Sequence, residues 1–238
     1  MKVLGLDSSG MVASVAVVED DILLAEYTMN YKKTHSQTLL PMLDDVAKRI
    51  ELDLSTLDTI AVAAGPGSFT GLRIGSATAK GLGQALDKEI VPVPTVEGLA
   101  FNLWGSRADV CPIMDARRNQ VYTGLYHFTE DTMETLVEQC AVDIREIIEK
   151  INQRGAEVVF LGDGVPVYKE QIAEYCDVPY SFAPAHMNRQ RGGSIAALGI
   201  RYLKEGKAES AAMHRPEYLR LTQAERERNE RLKNEQNP

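Results

Sequence analysis

A glycine-rich turn, Gly65-Pro66-Gly67-Ser68-Phe69-Thr70-Gly71, stands where an apolar run gives way to a helical pattern. Gly65 and Gly67 permit backbone angles closed to other residues, and Ser68 or Thr70 suits the cap of the next helix. A helix start with free amides attracts anions, so one reading is a phosphate-holding loop. The other is a sharp strand-to-helix turn with no ligand. The spacing favours the turn, because neither Gly-Lys-Ser/Thr nor Gly-x-Gly-x-x-Gly occurs.

Three aspartates, Asp7, Asp115 and Asp163, each follow an apolar run. Carboxylates at strand ends suit magnesium and phosphate chemistry. Aspartate is also the favoured turn residue, and single positions of this kind are more often turns. His35, His127, His186 and His214 are isolated, with no His-x-x-x-His or Glu-x-x-His, so the pattern offers no zinc or iron site. Ser8, Ser9 and Ser68 lie outside any Gly-x-Ser-x-Gly elbow, and no nucleophile triad is legible.

The helix expected over about Phe69–Leu86 carries small residues in two rows. Gly71, Gly75, Ala79 and Gly83 recur every four residues, and Ala77, Gly81 and Ala85 form a second row. A glycine inside a helix costs about 0.5–1 kcal/mol relative to alanine, and close backbone approach offsets that cost. One row is expected on the protein's own sheet and the other on a partner helix. The alternative is that both pack internally. The preceding helix, about Leu39–Ile50, shows Leu39, Leu43, Val46 and Ile50 at helical spacing, widened by Leu40 and Ala47. Pro41 either falls in its first turn or kinks it.

These residues need elements to place them. Lys2–Asp7, Val12–Glu19 and Ile22–Met29 read as strands joined by tight turns. The helix near Leu39–Ile50 follows, then a buried strand at Thr59–Ala64, the glycine-bearing helix, a strand at Glu89–Val93 and a helix capped by Thr95. From Asp109 the order repeats. Val110–Met114, Gln120–Phe128 and Met133–Val137 are strands, and Asp143 caps an amphipathic helix. Glu157–Leu161 is a strand before Gly162-Asp163-Gly164, and a helix spans about Val165–Tyr175. The βββαβα order occurs twice, which points to duplication into two α/β lobes with a cleft between them. Boundaries are expected at 1–106 and 107–222, with the last helix, from Gly192 to about Leu203, packing back on the first lobe. The polar stretch 223–238 cannot offset its ordering entropy and is expected to fray or stay disordered.

The chain has 238 residues, 44% of them apolar, with 34 acidic against 26 basic side chains and a net charge of −8. That balance argues against a protein that grips nucleic acid alone; Arg117-Arg118 is the best local exception. Cys111, Cys140 and Cys176 are scattered, which fits a reducing compartment. The first apolar run is broken by Asp7, too soon for a signal peptide, and no apolar stretch nears the roughly 20 residues that span a bilayer. A cytoplasmic protein without membrane contact is expected.

Leu4-Gly5-Leu6-Asp7-Ser8-Ser9, His35-Ser36-Gln37, Gly65 through Gly75, Asp115-Ala116-Arg117-Arg118-Asn119-Gln120-Val121-Tyr122 and Arg215-Pro216-Glu217-Tyr218-Leu219-Arg220 together resemble the TsaB (YeaZ) family. The resemblance implies an actin-like ATPase (hexokinase/Hsp70, ASKHA) fold of two βββαβα-type lobes. It implies a non-catalytic scaffold subunit of the machinery that makes N6-threonylcarbamoyladenosine at position 37 of tRNA. Such a subunit would bind and activate TsaD, meet TsaE in the same complex, form a homodimer when alone and reach tRNA only indirectly. The partner surface it implies comprises Leu39, Leu43, Val46, Ile50, Gly71, Arg73, Gly75, Ala79 and Gly83. It implies no required cofactor or metal. ATP or ADP binding is ancestral to such folds, and Asp7, Ser9, Gly65, Gly67, Gly162, Asp163 and Gly164 would be its vestige. Where TsaD-type proteins carry metal-binding histidines, Thr95 and Leu99 stand here. The alternative reading is a small-molecule kinase or ATPase of the same fold, using Asp7 and the cleft.

Overall fold

The computed structural model describes residues 1–31 and 34–220. The polar stretch 223–238 lies outside the described residues.

Three strands open the chain: β1 (Lys2–Asp7), β2 (Val12–Glu19) and β3 (Ile22–Asn30). Then come α1 (His35–Arg49), β4 (Thr59–Gly65), α2 (Phe69–Leu86), β5 (Ile90–Pro94) and α3 (Thr95–Ala100). The same succession returns as β6 (Asp109–Asp115), β7 (Gln120–Phe128), β8 (Met133–Asp143) and α4 (Ile144–Arg154). It closes with β9 (Val158–Leu161), α5 (Val165–Tyr175), β10 (Tyr180–Phe182) and α6 (Gly192–Lys204). Strand order is β3-β2-β1-β4-β5 in one sheet and β8-β7-β6-β9-β10 in the other. In both, the first three strands are antiparallel and the last three parallel. The duplication is thus complete down to strand direction, and the architecture is that of the actin-like ATPase fold.

Alternation along β1 explains the layering. Leu4 and Leu6 face α1 and α2, in a core with Val15, Val17, Leu43, Ile60 and Val62. Val3 faces the other way, with Ala61, Val91, Ile195 and Leu198 of α6. A sheet covered on both sides reads as the near-continuous apolar runs of β1 and β4. In the second lobe, α4 and α5 cover one face through Ile147, Ile151, Tyr168 and Ile172. The other face is covered by Val96, Leu99 and Ala100 of α3. Each lobe's last helix therefore lies on the other lobe's sheet. Helix α6 and the residues after it pack mainly with the first lobe, while Glu217, Leu219 and Arg220 also touch the second.

Four local expectations change. Helix α1 begins at His35 rather than near Leu39, so Pro41 falls inside it. Its missing N–H would serve the carbonyl of Gln37, on the solvent side, where water replaces it. Thr95 does not cap α3; its Oγ1 accepts a hydrogen bond from the Gly65 amide at 3.1 Å instead. Strand β8 continues past Val137 to Asp143, carried over irregular register near Leu125 by its pairing with β7. Strand β10 has three residues, too few for a readable period.

Candidate functional site

The Asp7-Ser8-Ser9 turn and the Gly65–Gly71 turn lock into one another. Asp7 is 1% exposed and accepts hydrogen bonds from the Ser9 amide at 2.8 Å and the Ser9 hydroxyl at 2.6 Å. Burial raises its pKa to about 6, against the opposing pull of those bonds and of His35. The Ser68 amide donates to the Ser9 carbonyl at 2.7 Å, and the Ser8 hydroxyl donates to the Gly71 carbonyl at 2.9 Å. A Cβ on Gly67 would lie 2.4 Å from the Ser9 oxygen, and one on Gly71 2.0 Å from the Ser8 oxygen. The glycines let two turns touch. Ser68 caps α2 by accepting from the Gly71 amide at 3.3 Å. The amides of Ser68 and Gly71 are therefore already satisfied from within the chain.

Gly65 meets the C-terminal segment. Its φ is +125°, and a Cβ would stand 2.1 Å from the Glu217 carbonyl oxygen. The Glu217 amide donates to the Ala64 carbonyl at 2.7 Å. From here the segment can be followed backward along α2. Tyr218 stacks on Phe69 with centroids 4.8 Å apart, and Arg73 Nε donates to its hydroxyl at 3.3 Å. Lys80 Nζ donates to the carbonyls of His214 (2.9 Å) and Ala212 (3.1 Å). Ala211 sits against Gly83, and Glu209 pairs with Ile90 at 2.8 Å in both directions. Residues 209–220 form a strap antiparallel to α2.

Under the strap lies an arrangement the sequence did not announce. Ser76 Oγ is 3.0 Å from His214 Nε2, and His214 Nδ1 is 2.7 Å from Glu209 Oε1. The connectivity is that of a Ser-His-Glu triad. Ser76 is 4% exposed and His214 1%. A nucleophile needs an open face for a carbonyl carbon, and this hydroxyl has none. The three residues tether the strap. They lie 138 and 5 positions apart, so no local signal could have found them.

In the second lobe, Asp115 Oδ1 accepts from the Arg117 amide at 2.8 Å and from the Tyr168 hydroxyl at 3.5 Å. Asp163 has its pKa raised by burial, opposed by Arg189, and its Oδ1 has no hydrogen-bond partner among the described residues. Gly162, at φ +114°, presses on the Ile113 carbonyl, and the Gly164 amide donates to it at 2.9 Å. The three strand-end aspartates do not make a ligand set: among the described residues no group of three or more His, Cys, Asp or Glu could hold a metal ion. At α3, Leu99 is packed in the core.

The predicted partner surface needs correction. Leu39, Leu43 and Val46 are buried in the first lobe's core, and Ile50 packs against it half-buried. Gly71, Gly75, Ala79 and Gly83 also face inward. Helix α2 lies so close to the turn after β1 and to the strap that a Cβ on Gly75 would be 2.6 Å from Ser8 Oγ, and one on Gly83 2.9 Å from Ala211 Cβ. Of the residues expected to meet a partner, only Arg73 is exposed. The outward row is the second one: Ala77, Gly81 and Ala85 are exposed, and a Cβ on Gly81 would meet nothing within 4 Å. On one flank stands α1 with Leu40, 52% exposed; on the other, the strap with Met213 at 66% and Tyr218 at 39%. A smooth floor between apolar edges admits a helix at close range.

Comparison with known proteins gives a consistent picture. Residues 23–228 match the family model described as TsaD, tRNA N6-adenosine threonylcarbamoyltransferase. The chain is 34% identical over 227 residues to the tRNA threonylcarbamoyladenosine biosynthesis protein TsaB of Bacillus subtilis (strain 168), covering 94% of this chain and 96% of that protein. It is 31% identical over 167 residues to the TsaB of Escherichia coli (strain K12), covering 69% and 72%. Among solved structures, YeaZ from Pseudomonas aeruginosa superposes with a TM-score of 0.78 at 25% identity, over 92% of this chain and 99% of that one.

Proposed function

Because the chain belongs to the TsaB (YeaZ) family of tRNA threonylcarbamoyladenosine biosynthesis proteins, we propose that it is the non-catalytic subunit that binds and activates TsaD. The outward face of α2 carries this reading. Ala77, Gly81 and Ala85 form a bare ridge on a helix exposed along its length, between Leu40 and the strap. Glycine at position 81 weakens the helix, and a Cβ there would meet nothing within 4 Å among the described residues. A closely packed helix from another protein would offset that cost.

The same face would pair two copies of this chain when TsaD is absent, and TsaE would join the assembled complex. Transfer chemistry would stay with TsaD. Two observations support that division: the Thr95 hydroxyl is engaged by the Gly65 amide and Leu99 by the core. No cofactor is required on this reading. The Glu217 backbone lies against Gly65, which supports a turn that serves the strap. The protein would work in the cytoplasm; no helix among the described residues is long and apolar enough to cross a membrane.

The test is a substitution at Gly81. Gly81→Arg places a long side chain on the ridge without touching the core. Light scattering should show loss of the TsaD complex and of the homodimer, with the melting temperature kept and tRNA modification abolished. An intact complex would remove α2 as the docking helix. Gly75→Arg makes no such test, because that position faces Ser8 and Val62.

A further inference from the structure

The hairpin loop between β6 and β7 holds three consecutive residues in the left-handed region: Arg117 at φ 62°, Arg118 at 57° and Asn119 at 59°. Hairpin loops that need such angles ordinarily use Asn and Gly, which adopt them at lower cost. Only Asn119 fits that rule. The two arginines are costly choices for the turn itself, and an outlier of this kind points to a role beyond the turn.

The loop is braced from below. Asp115 Oδ1 accepts the Arg117 amide at 2.8 Å, the Ala116 amide donates to the Gln120 carbonyl at 2.9 Å, and the Gln120 amide donates to the Arg117 carbonyl at 3.2 Å. Arg220, at the end of the strap, donates to the Ala116 carbonyl. These contacts use the backbone. Arg117 and Arg118 are exposed, and among the described residues neither pairs with a carboxylate. Two residues back from Arg220, Tyr218 receives the Arg73 guanidinium beside the first turn of α2. The arginine loop is therefore tied to the strap that edges the proposed docking face, in a chain whose net charge is −8.

We propose that Arg117 and Arg118 grip phosphate groups of the RNA backbone when this chain sits in the TsaD complex, an inference that rests on the assembly reading above. A guanidinium offers a fork of donors matched to phosphate oxygens, and such contacts position a nucleic acid without reading its sequence. An acidic chain with one basic loop would bind RNA weakly alone and contribute once a partner holds it.

The experiment measures tRNA affinity against salt for the complete complex, by anisotropy with labelled tRNA. Arg117→Gly/Arg118→Gly keeps the left-handed backbone, so folding is not in question. Arg117→Lys/Arg118→Lys keeps the charge. The glycine pair should weaken binding roughly ten-fold at low salt and flatten the log–log salt slope by about 1–2, while the lysine pair retains most of the slope. Light scattering should show both complexes whole. Unchanged affinity and slope in a whole complex would overturn the proposal. So would a complex that falls apart, since the arginines would then hold a protein. If the wild-type chain does not assemble with TsaD, light scattering shows this before any RNA is added; the assembly reading then fails, and the arginine proposal falls with it.

Discussion

The carbonyl oxygen of Glu217 occupies the place where any side chain at position 65 would begin, 2.1 Å from the Cβ that Gly65 lacks. A turn suited by its composition to hold phosphate packs at this glycine against the chain's own backbone. Gly65→Ala would meet both this contact and a φ of +125°. The expected loss is about 3 kcal/mol or more, between strain and a displaced strap. Urea unfolding measures the loss, and limited proteolysis within 206–220 should accelerate. A variant as stable and resistant as wild type would mean the contact is not maintained in solution.

Ser76→Ala deletes the partner of His214 Nε2 at a buried position. Leaving that nitrogen unsatisfied should cost about 1–3 kcal/mol. If the serine were a nucleophile, a fluorophosphonate probe would label it; the sealed geometry predicts no labelling in the native protein. Labelling that vanishes in Ser76→Ala would reverse the assignment of this cluster as a tether.

Asp7 makes stability depend on pH with a definite sign. Its folded pKa of about 6 lies above the ordinary aspartate value of 3.8. Between these values the folded state holds more protons than the unfolded one, so stability falls as pH rises. The contribution is complete below 3.8 and lost through about 6, a change of roughly 3 kcal/mol. Asp7→Asn keeps an acceptor for Ser9 and removes the charge. Its advantage over wild type should grow from pH 4 to pH 7 and then level off. Parallel stability curves for the two proteins would show that Asp7 ionises as freely in the fold as outside it.

The two faces of α2 should answer oppositely to the same change. Gly81→Ala enters open space in a helix interior and should stabilise the isolated subunit by about 0.5–1 kcal/mol. Gly75→Ala must push against Ser8 Oγ at 2.6 Å and should destabilise it. Thermal melts of the pair decide. Equal effects would mean that the direction assigned to the helix is wrong.

That direction marks where sequence reading stopped. The apolar runs of β1, β2 and β4, the cap Asp143, Ser68 as one of two candidate caps and the repeated strand order were legible, because each is set by neighbours in sequence. Which row of α2 faces inward was not. Both rows are small, and the choice depends on Ser8, some 60 positions earlier, and on Ala211, far later in the chain. The course of the strap was not legible for a related reason, although Arg215–Arg220 stood out as a motif. Residues 209–220 have neither helical nor strand period, and their order comes from backbone bonds to Ile90, Lys80 and Ala64. His214 read as an isolated histidine until the fold laid it on Ser76.

Since α3 is seated on the second sheet and α6 on the first, neither half owns all of the surface that keeps it dry. Cutting the chain between residues 106 and 107 would not release two folded proteins. The fragments should stay associated and melt together, and a gene for either half alone should yield an aggregating product. A substitution at Leu99 would accordingly be felt in the half that does not encode it.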